Sequence, residues 1–164
     1  MRPSLLALLR CPDCACTRLT LQALSGDEAI TEGVIVCDGC RASHPVIAGV
    51  PRLLPAGLRC CLPVLHPAFF ARHPALAPAR CAHAPDDPVA ATLRTFSYQH
   101  VSLADATPEI ERWRTTFLAA IPVSPDFFRG KLGLDLGCGA GRHLAWAQRW
   151  GAEMVGVDLS EGVG

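Results

Sequence analysis

The sequence has no excess of charge of either sign and few aromatic residues. Its 15 Lys and Arg residues balance 15 Asp and Glu residues, so the formal net charge is zero. A chain without net positive charge has no bulk field that would draw it onto nucleic acid or an anionic membrane surface. Aromatic residues make up 6% of the chain, and none stands in residues 1–68 to stack on a base. We therefore expect no direct DNA binding.

Long apolar stretches are also missing. The run Leu5–Leu9 is followed by Arg10 and is shorter than the roughly 7 to 15 apolar residues of a secretion signal. No later stretch approaches the ~20 apolar residues that a membrane-spanning helix needs. These absences predict a cytoplasmic protein without a membrane segment. A length of 164 residues allows one modest core, or a small metal-stapled module and part of a larger domain.

Cysteine, in contrast, is abundant, with nine residues in the chain. Two CxxC pairs, one at Cys11 and Cys14 and the other at Cys37 and Cys40, are separated by 22 residues. Each pair can place both thiolates on one metal, and two pairs complete the tetrahedral shell of a structural Zn²⁺. In a reducing compartment, clustered pairs favour metal over disulfides. The predicted zinc ligands are therefore Cys11, Cys14, Cys37 and Cys40.

Other residues near these pairs are alternative ligands. Cys16 lies two residues past a complete pair and is expected to be a bystander, whereas His44 could substitute for one cysteine. Unligated or disulfide-bonded cysteines are the remaining alternative. A closed shell of four cysteines leaves no open position on the metal, so the site is expected to be structural. The sequence assigns no role to Cys60, Cys61 and Cys81.

Residues 1–54 contain three short apolar runs, Leu19–Leu21, Val34–Val36 and Val46–Leu54, which predict short strands around the metal-binding turns. Gly26, Gly33 and Gly49 are expected to separate them. The segments CPDC, VIVCDGC, HPVI and GVPRLL resemble the small zinc-binding activator subunit of methyltransferases that modify tRNA and translation factors. His44 stands where that family usually has tyrosine. The resemblance implies a zinc ribbon that docks a protein partner.

Proline dominates the next segment, with seven prolines from Pro55 to Pro88. This density predicts an extended linker over residues 55–87. Asp87–Pro88 then predicts the start of a helix, and Thr107-Pro108-Glu109 predicts the start of a second one. The second helix carries an apolar stripe, and both helices are expected to pack beside the domain that follows. The stripe consists of Ile110, Trp113 and Phe117.

The last segment alternates between strand and helix patterns. A strand at Leu132–Leu136, a helix at Arg142–Trp150 and a strand at Met154–Asp158 predict a βαβ unit with two parallel strands. The predicted fold class is therefore α/β, with a small β zinc ribbon followed by the start of a Rossmann-like domain. The predicted domains are residues 1–54, the linker 55–87 and an incomplete domain at 88–164.

The motif LDLGCGAG at residues 134–141 places a GxGxG loop after the first of these strands, where a ligand can lie against the backbone. Arg142 stands where the dinucleotide fingerprint has glycine, and Asp135 would repel a pyrophosphate. A carboxylate here suits a ligand with an amino group and a sulfonium, such as S-adenosylmethionine. Asp158 ends the next strand with an acid that can bind two ribose hydroxyls. Cys138 is expected to be a small filler, and a tight turn without ligand is the alternative for the loop.

The pair LDLGCGAGRHL and GVDLS resembles the first two motifs of class I S-adenosylmethionine-dependent methyltransferases. The resemblance implies a Rossmann-like methyltransferase domain that transfers a methyl group to a small molecule, protein or RNA. Nothing in the sequence identifies this acceptor or a catalytic base, and His143 is expected to be a packing or surface residue. The implied cofactor-binding residues are Asp135, Gly137, Gly139 and Gly141 around the methionine moiety and Asp158 on the ribose.

Only the first two strands of that family's sheet are predicted here, so we expect a fragment that is inactive alone. The alternative is a noncatalytic zinc-ribbon interaction protein, an adaptor for a methyltransferase or an RNA-bound complex. Copurification distinguishes the two, because an adaptor forms a stable assembly with another protein chain.

Overall fold

The computed structural model describes residues 1–79, Thr95 and residues 110–160. The chain forms two units, Met1–Pro85 and Asp86–Gly164. The first contains a four-stranded sheet and the second a two-stranded sheet. The start of the first predicted helix at Asp87–Pro88 and the cap of the second at Thr107 lie outside the described residues. None of the described helices is both long and apolar enough to cross a membrane.

The sheet of the first unit is antiparallel throughout, and its four strands are neighbours in the order in which they follow along the chain. Two of the three predicted strand runs are confirmed, whereas the third, Val46–Leu54, is divided between two strands by a turn at Ala48 and Gly49. Gly33, however, lies inside a strand instead of between strands. A Cβ at this position would meet Gln22 O of the neighbouring strand at 2.8 Å, so only glycine allows the two strands to approach this closely. The strands are β1 at Leu19–Ser25, β2 at Glu32–Cys37, β3 at Ser43–Ile47 and β4 at Val50–Pro51.

The core of this unit forms around β2. Ile35 and Cys37 on β2 and Val46 on β3 are each 0% exposed. These residues pack with Cys11 and Leu19 into one apolar cluster. Two predicted metal ligands, Cys11 and Cys37, are therefore also core residues.

Residues 55–79 differ from the extended segment that the proline density predicts. Pro55 is the N-cap of the first helix, Pro63 lies in the first turn of the second, and Pro67 opens the third. At these positions a backbone N–H has no intrahelical acceptor, so proline costs little. The segment packs on the sheet through an apolar cluster that includes Phe69. The helices are α1 at Ala56–Arg59, α2 at Leu62–Leu65 and α3 at Pro67–Arg72, followed by a 3-10 turn at Pro74–Leu76.

The second unit confirms the predicted βαβ order. Strands β5 and β6 are parallel, and Asp135 on β5 is in register with Gly156 on β6. A crossover helix joins them, as parallel neighbours require. The elements are α4 at Ile110–Ala120, a 3-10 turn at Pro125–Phe128, β5 at Leu132–Leu136, α5 at Arg142–Arg149 and β6 at Glu153–Val157.

Two residues of the predicted apolar stripe on α4, Trp113 and Phe117, pack against the crossover helix. The Phe117 ring stacks on Trp150 with a centroid distance of 5.7 Å and on His143 with a distance of 5.0 Å. Trp113 meets the edge of the same histidine at 5.8 Å. His143 is therefore a packing residue within an aromatic cluster, in agreement with the prediction.

The two faces of β5 differ in their surroundings. Asp135 and Gly156 share the face on which α5 lies, since a Cβ at Gly156 would meet Leu144 Cδ1 of that helix at 2.8 Å. The side chains of the opposite face are exposed by 57%, 60% and 75%. We refer to this surface, formed by Leu132, Leu134 and Leu136, as the leucine face.

Candidate functional site

The structure brings the four predicted zinc ligands together. The Sγ atoms of Cys11, Cys14, Cys37 and Cys40 all lie within 4.8 Å of one another. Cys11 Sγ lies 3.6 Å from Cys40 Sγ, and Cys14 Sγ lies 3.5 Å from Cys37 Sγ. A tetrahedron with Zn–S bonds of about 2.3 Å has sulfur–sulfur edges of about 3.8 Å. The thiol set therefore fits a tetrahedral Zn²⁺ without rearrangement of the backbone.

The two CxxC pairs sit in equivalent turns. The Ala15 N–H donates to Cys11 O at 2.8 Å, and the Arg41 N–H donates to Cys37 O at 2.9 Å. Ala15 and Arg41 each follow a second cysteine and have positive φ values of 58° and 62°. A left-handed residue is costly for a side chain other than glycine. Both turns nevertheless adopt this conformation, and the two thiols of each pair lie on the same side of their turn.

Backbone donors and neighbouring thiols act in opposite directions on the cysteine pKa values. The N–H groups of Cys40 and Gly39 donate to Cys37 Sγ and lower the pKa of this thiol to about 6. The Cys16 N–H favours the Cys14 thiolate, but the thiols of Cys37 and Cys40 raise the pKa of Cys14 to about 12. Without metal, Cys14 therefore keeps its proton at neutral pH, and metal binding must release it.

Cys16 and His44, the alternative ligands, occupy different positions. Cys16 Sγ lies outside the four-thiol set and faces Arg18 O at 3.8 Å. His44 is fully buried, and its Nε2 lies 3.8 Å from Cys11 Sγ. Burial and the Arg59 guanidinium lower the pKa of this histidine, so its neutral form is favoured. Cys60 is disulfide-bonded and lies outside the thiol set.

Two residues beside the thiol set, Asp13 and Arg59, were not identified from the sequence. Asp13 lies between the first two ligands and accepts hydrogen bonds from the Arg59 guanidinium and, at 2.9 Å, from the Ala56 N–H. Burial alone would raise the pKa of Asp13, but these hydrogen bonds lower it. Asp13 thus ties the first metal-binding turn to the start of α1. A CxxC motif alone cannot reveal this contact, because its partner is 46 residues away.

The three glycines of the GxGxG loop all have positive φ. The values are 78° for Gly137, 50° for Gly139 and 72° for Gly141. A Cβ at Gly137 or Gly141 would meet no atom within 4 Å. The backbone conformation, not packing, therefore requires glycine at these positions, and both face open space that a ligand can occupy.

Asp158 lies directly beside this loop. Its Oδ2 accepts a hydrogen bond of 2.8 Å from the Gly139 N–H, and its Oδ1 accepts one of 2.7 Å from the Ser160 N–H. A carboxylate offers about four lone-pair positions. These two contacts hold the carboxylate in one orientation beside the glycine loop.

Asp135 and Asp158 converge on the loop at Cys138. Burial raises the pKa of the Cys138 thiol, and the charges of Asp135 and Asp158 raise it further. A thiol with a raised pKa is a poor nucleophile, which agrees with the prediction that Cys138 is a small filler. Asp135 also lines a largely apolar cavity of about 490 Å³ together with Phe117.

Gly156 is a further residue that the sequence reasoning missed. A Cβ at this position would lie 2.7 Å from Cys138 Sγ and 2.8 Å from Leu144 Cδ1. Only glycine therefore lets β6 approach both the loop and α5. A glycine inside a strand is the signal that could have identified it.

Residues 134–163 match the model of a family described as a methyltransferase domain. This match covers 30 of the 164 residues and supports methyl transfer in general. The matched residues include the glycine loop, the crossover helix and Asp158. No curated protein matches the chain significantly. The residues of the ribbon lie outside the matched stretch, and their resemblance to a methyltransferase activator subunit stays a prediction.

Proposed function

We propose that the chain binds S-adenosylmethionine and serves methyl transfer, with a zinc ribbon at residues 1–54 and the methyltransferase part at residues 88–164. The contact between Asp158 and the glycine loop carries this proposal. It joins the carboxyl ends of two parallel strands, the position at which ligands bind in open α/β sheets. The family match over the same residues supports it.

The residues of this site have distinct proposed roles. Gly137 and Gly141 leave the backbone open for the methionine moiety, and the Asp135 carboxylate attracts its amino group. Asp158 accepts hydrogen bonds from the ribose hydroxyls. The cofactor supplies a methyl group on an activated sulfonium, so the protein contributes mainly by orienting donor and acceptor.

The thiols of Cys11, Cys14, Cys37 and Cys40 would hold one Zn²⁺. The metal supplies a crosslink between the two CxxC turns and has no open coordination position for catalysis. We also propose that the ribbon is where a protein partner docks. We propose the cytoplasm as the compartment, because the four ligand thiols bind metal only when they are reduced.

Calorimetric titration of S-adenosylmethionine into the zinc-loaded chain tests the proposal. We expect binding by the wild type and a loss of at least about tenfold in affinity for Asp158→Asn, because a hydrogen-bond acceptor for the ribose is lost. Asp126→Asn is the matched control, since the Asp126 side chain is 84% exposed in the same unit. Absence of binding by a folded, zinc-containing chain would refute the cofactor site.

A noncatalytic adaptor is the second candidate, and the leucine face favours it. Parallel sheets are normally covered on both faces, so exposed leucines on β5 offer a surface for another protein. Under this reading the chain copurifies with a protein partner, and Leu134→Lys abolishes the assembly. An unchanged assembly would argue against docking through this face.

A further inference from the structure

His44 is a buried histidine whose two ring nitrogens face different groups. It lies on β3 and is 0% exposed. Its Nε2 lies 3.8 Å from Cys11 Sγ, and its Nδ1 lies 3.5 Å from Arg59 NH1. The neighbour of each nitrogen determines which of the two carries the proton.

Arg59 determines which nitrogen of His44 carries the proton, because a guanidinium has only donors and no acceptor. A proton on Nδ1 of His44 would point one N–H group at another. The ring therefore carries its proton on Nε2 and turns the lone pair of Nδ1 towards Arg59 NH1, whose two N–H groups are shared among Asp13, Leu54 O and His44. That proton faces Cys11 Sγ, and a thiolate is a suitable acceptor.

The orientation of Arg59 is itself fixed by the metal-binding turn. The Arg59 side chain is 15% exposed and forms an ion pair with Asp13. Its NH1 group also lies 3.3 Å from Leu54 O. Asp13 and Cys11 belong to the same CxxC turn, so the chain of contacts through Arg59 and His44 begins and ends on that turn.

We propose that His44 is a positioning residue of the metal centre, which donates an Nε2–H···Sγ hydrogen bond to Cys11 while Arg59 holds its Nδ1. This inference rests on the four-cysteine zinc site of the proposed function. Four thiolates give the metal shell an excess of negative charge, which a buried donor compensates. Donors of this kind also fix the orientation of the ligand, and their loss typically costs about 10- to 100-fold in metal affinity.

The test compares wild type, His44→Phe and His44→Gln in zinc-loaded and cobalt-loaded forms. Phenylalanine keeps the ring but has no donor, whereas the glutamine amide can place an N–H near the position of Nε2. We expect His44→Phe to weaken zinc binding by about 10- to 100-fold in chelator competition and to shift the sulfur-to-cobalt charge-transfer band. His44→Gln should restore both properties to near the wild-type values. In the zinc-loaded wild type, ¹⁵N NMR should show the Nε2–H tautomer.

Several results would overturn the inference. They are an Nδ1–H tautomer, a folded His44→Phe chain with unchanged zinc affinity and cobalt spectrum, or a wild-type cobalt spectrum of three sulfurs and one nitrogen. The NMR measurement uses the wild type, so it decides even if His44→Phe does not fold. A wild type that fails to bind one zinc through four thiols would refute the zinc site itself, a result distinct from these three.

Discussion

The carboxylate of Asp158 holds the Gly139 N–H at 2.8 Å, and this contact joins the end of β6 to the turn that follows β5. Gly139 is buried, so its N–H has no access to water as a substitute acceptor. The second oxygen of Asp158 binds the Ser160 N–H. One side chain therefore satisfies two backbone donors, and its removal should affect folding as well as ligand binding.

Asp158→Ala should lower the free energy of unfolding of the second unit by about 2 kcal/mol, because two backbone donors lose their acceptor. The three tryptophans, Trp113, Trp146 and Trp150, all lie in this unit. Tryptophan fluorescence during urea denaturation therefore reports its unfolding selectively. Asp126→Ala, at an exposed position, should leave the midpoint nearly unchanged, and an equal shift in both variants would contradict the prediction.

Gly156→Ala should destabilise the same unit by about 1–3 kcal/mol through overpacking. The added Cβ overlaps Cys138 Sγ, so Cys138→Ala in the same chain should recover part of this loss. Fluorescence-detected unfolding of the two single variants and the double variant measures the coupling between the sites. Asp126→Ala is the control, because the Asp126 side chain is 84% exposed in the same unit. Purely additive effects would show that the contact is not responsible.

Removal of the metal should unfold the ribbon, because Cys11 and Cys37 belong both to the thiol set and to the apolar core of the ribbon. We expect one zinc per chain by atomic absorption, its loss in Cys14→Ser, and its retention in Cys61→Ser. Cys61 is a free cysteine outside the thiol set, which makes it the matched control. Chelation should remove the part of the β-sheet signal in circular dichroism that comes from the four-stranded sheet, and a signal unchanged by chelation would contradict this prediction.

Glu32 should stabilise the first unit in a pH-dependent manner. Its carboxylate on β2 accepts a 2.8 Å hydrogen bond from His73 Nε2 and pairs with Arg72. The His73 hydrogen bond and the Arg72 guanidinium lower the pKa of Glu32. This contribution is therefore complete above the ordinary glutamate pKa of about 4.3 and is lost as the pH falls through the lower pKa of the folded state.

Glu32→Gln should accordingly cost about 1 kcal/mol at neutral pH and nothing once the wild-type carboxyl is protonated. Denaturation curves followed by circular dichroism at a series of pH values measure this difference. Glu28→Gln, at an exposed position, should behave like wild type throughout. A Glu32→Gln deficit that stayed constant at low pH would point to lost packing instead of lost charge.

The sequence was most informative where local pattern alone determines structure. The spacing of Cys11, Cys14, Cys37 and Cys40 was sufficient to predict the thiol set, because each pair needs only one turn. The alternation of apolar residues and the glycine loop likewise predicted β5, α5 and β6. The roles of the predicted cofactor-binding residues stay predictions, since they depend on a ligand and not on the fold.

Contacts between distant segments could not be predicted in the same way. Proline density suggested an extended segment after Pro55, but the prolines occupy helix starts, where the missing N–H costs little. The Asp13–Arg59–His44 contacts join three segments whose proximity depends on how α1 packs on the sheet. Gly156 matters only because Cys138 and Leu144 are packed against it.

The leucine face has a consequence for how the stability of the second unit should be regarded. Each of Leu132, Leu134 and Leu136 is more than half exposed and so forgoes roughly 1–2 kcal/mol of burial energy. Together these losses, roughly 3–6 kcal/mol, reach the lower end of the free energy of unfolding of a small domain, about 5–15 kcal/mol. Any surface that covers this face adds to that free energy by mass action. The measured free energy of unfolding of the second unit should therefore depend on the protein concentration and on which other proteins are present. It is not a fixed property of the residues of this unit.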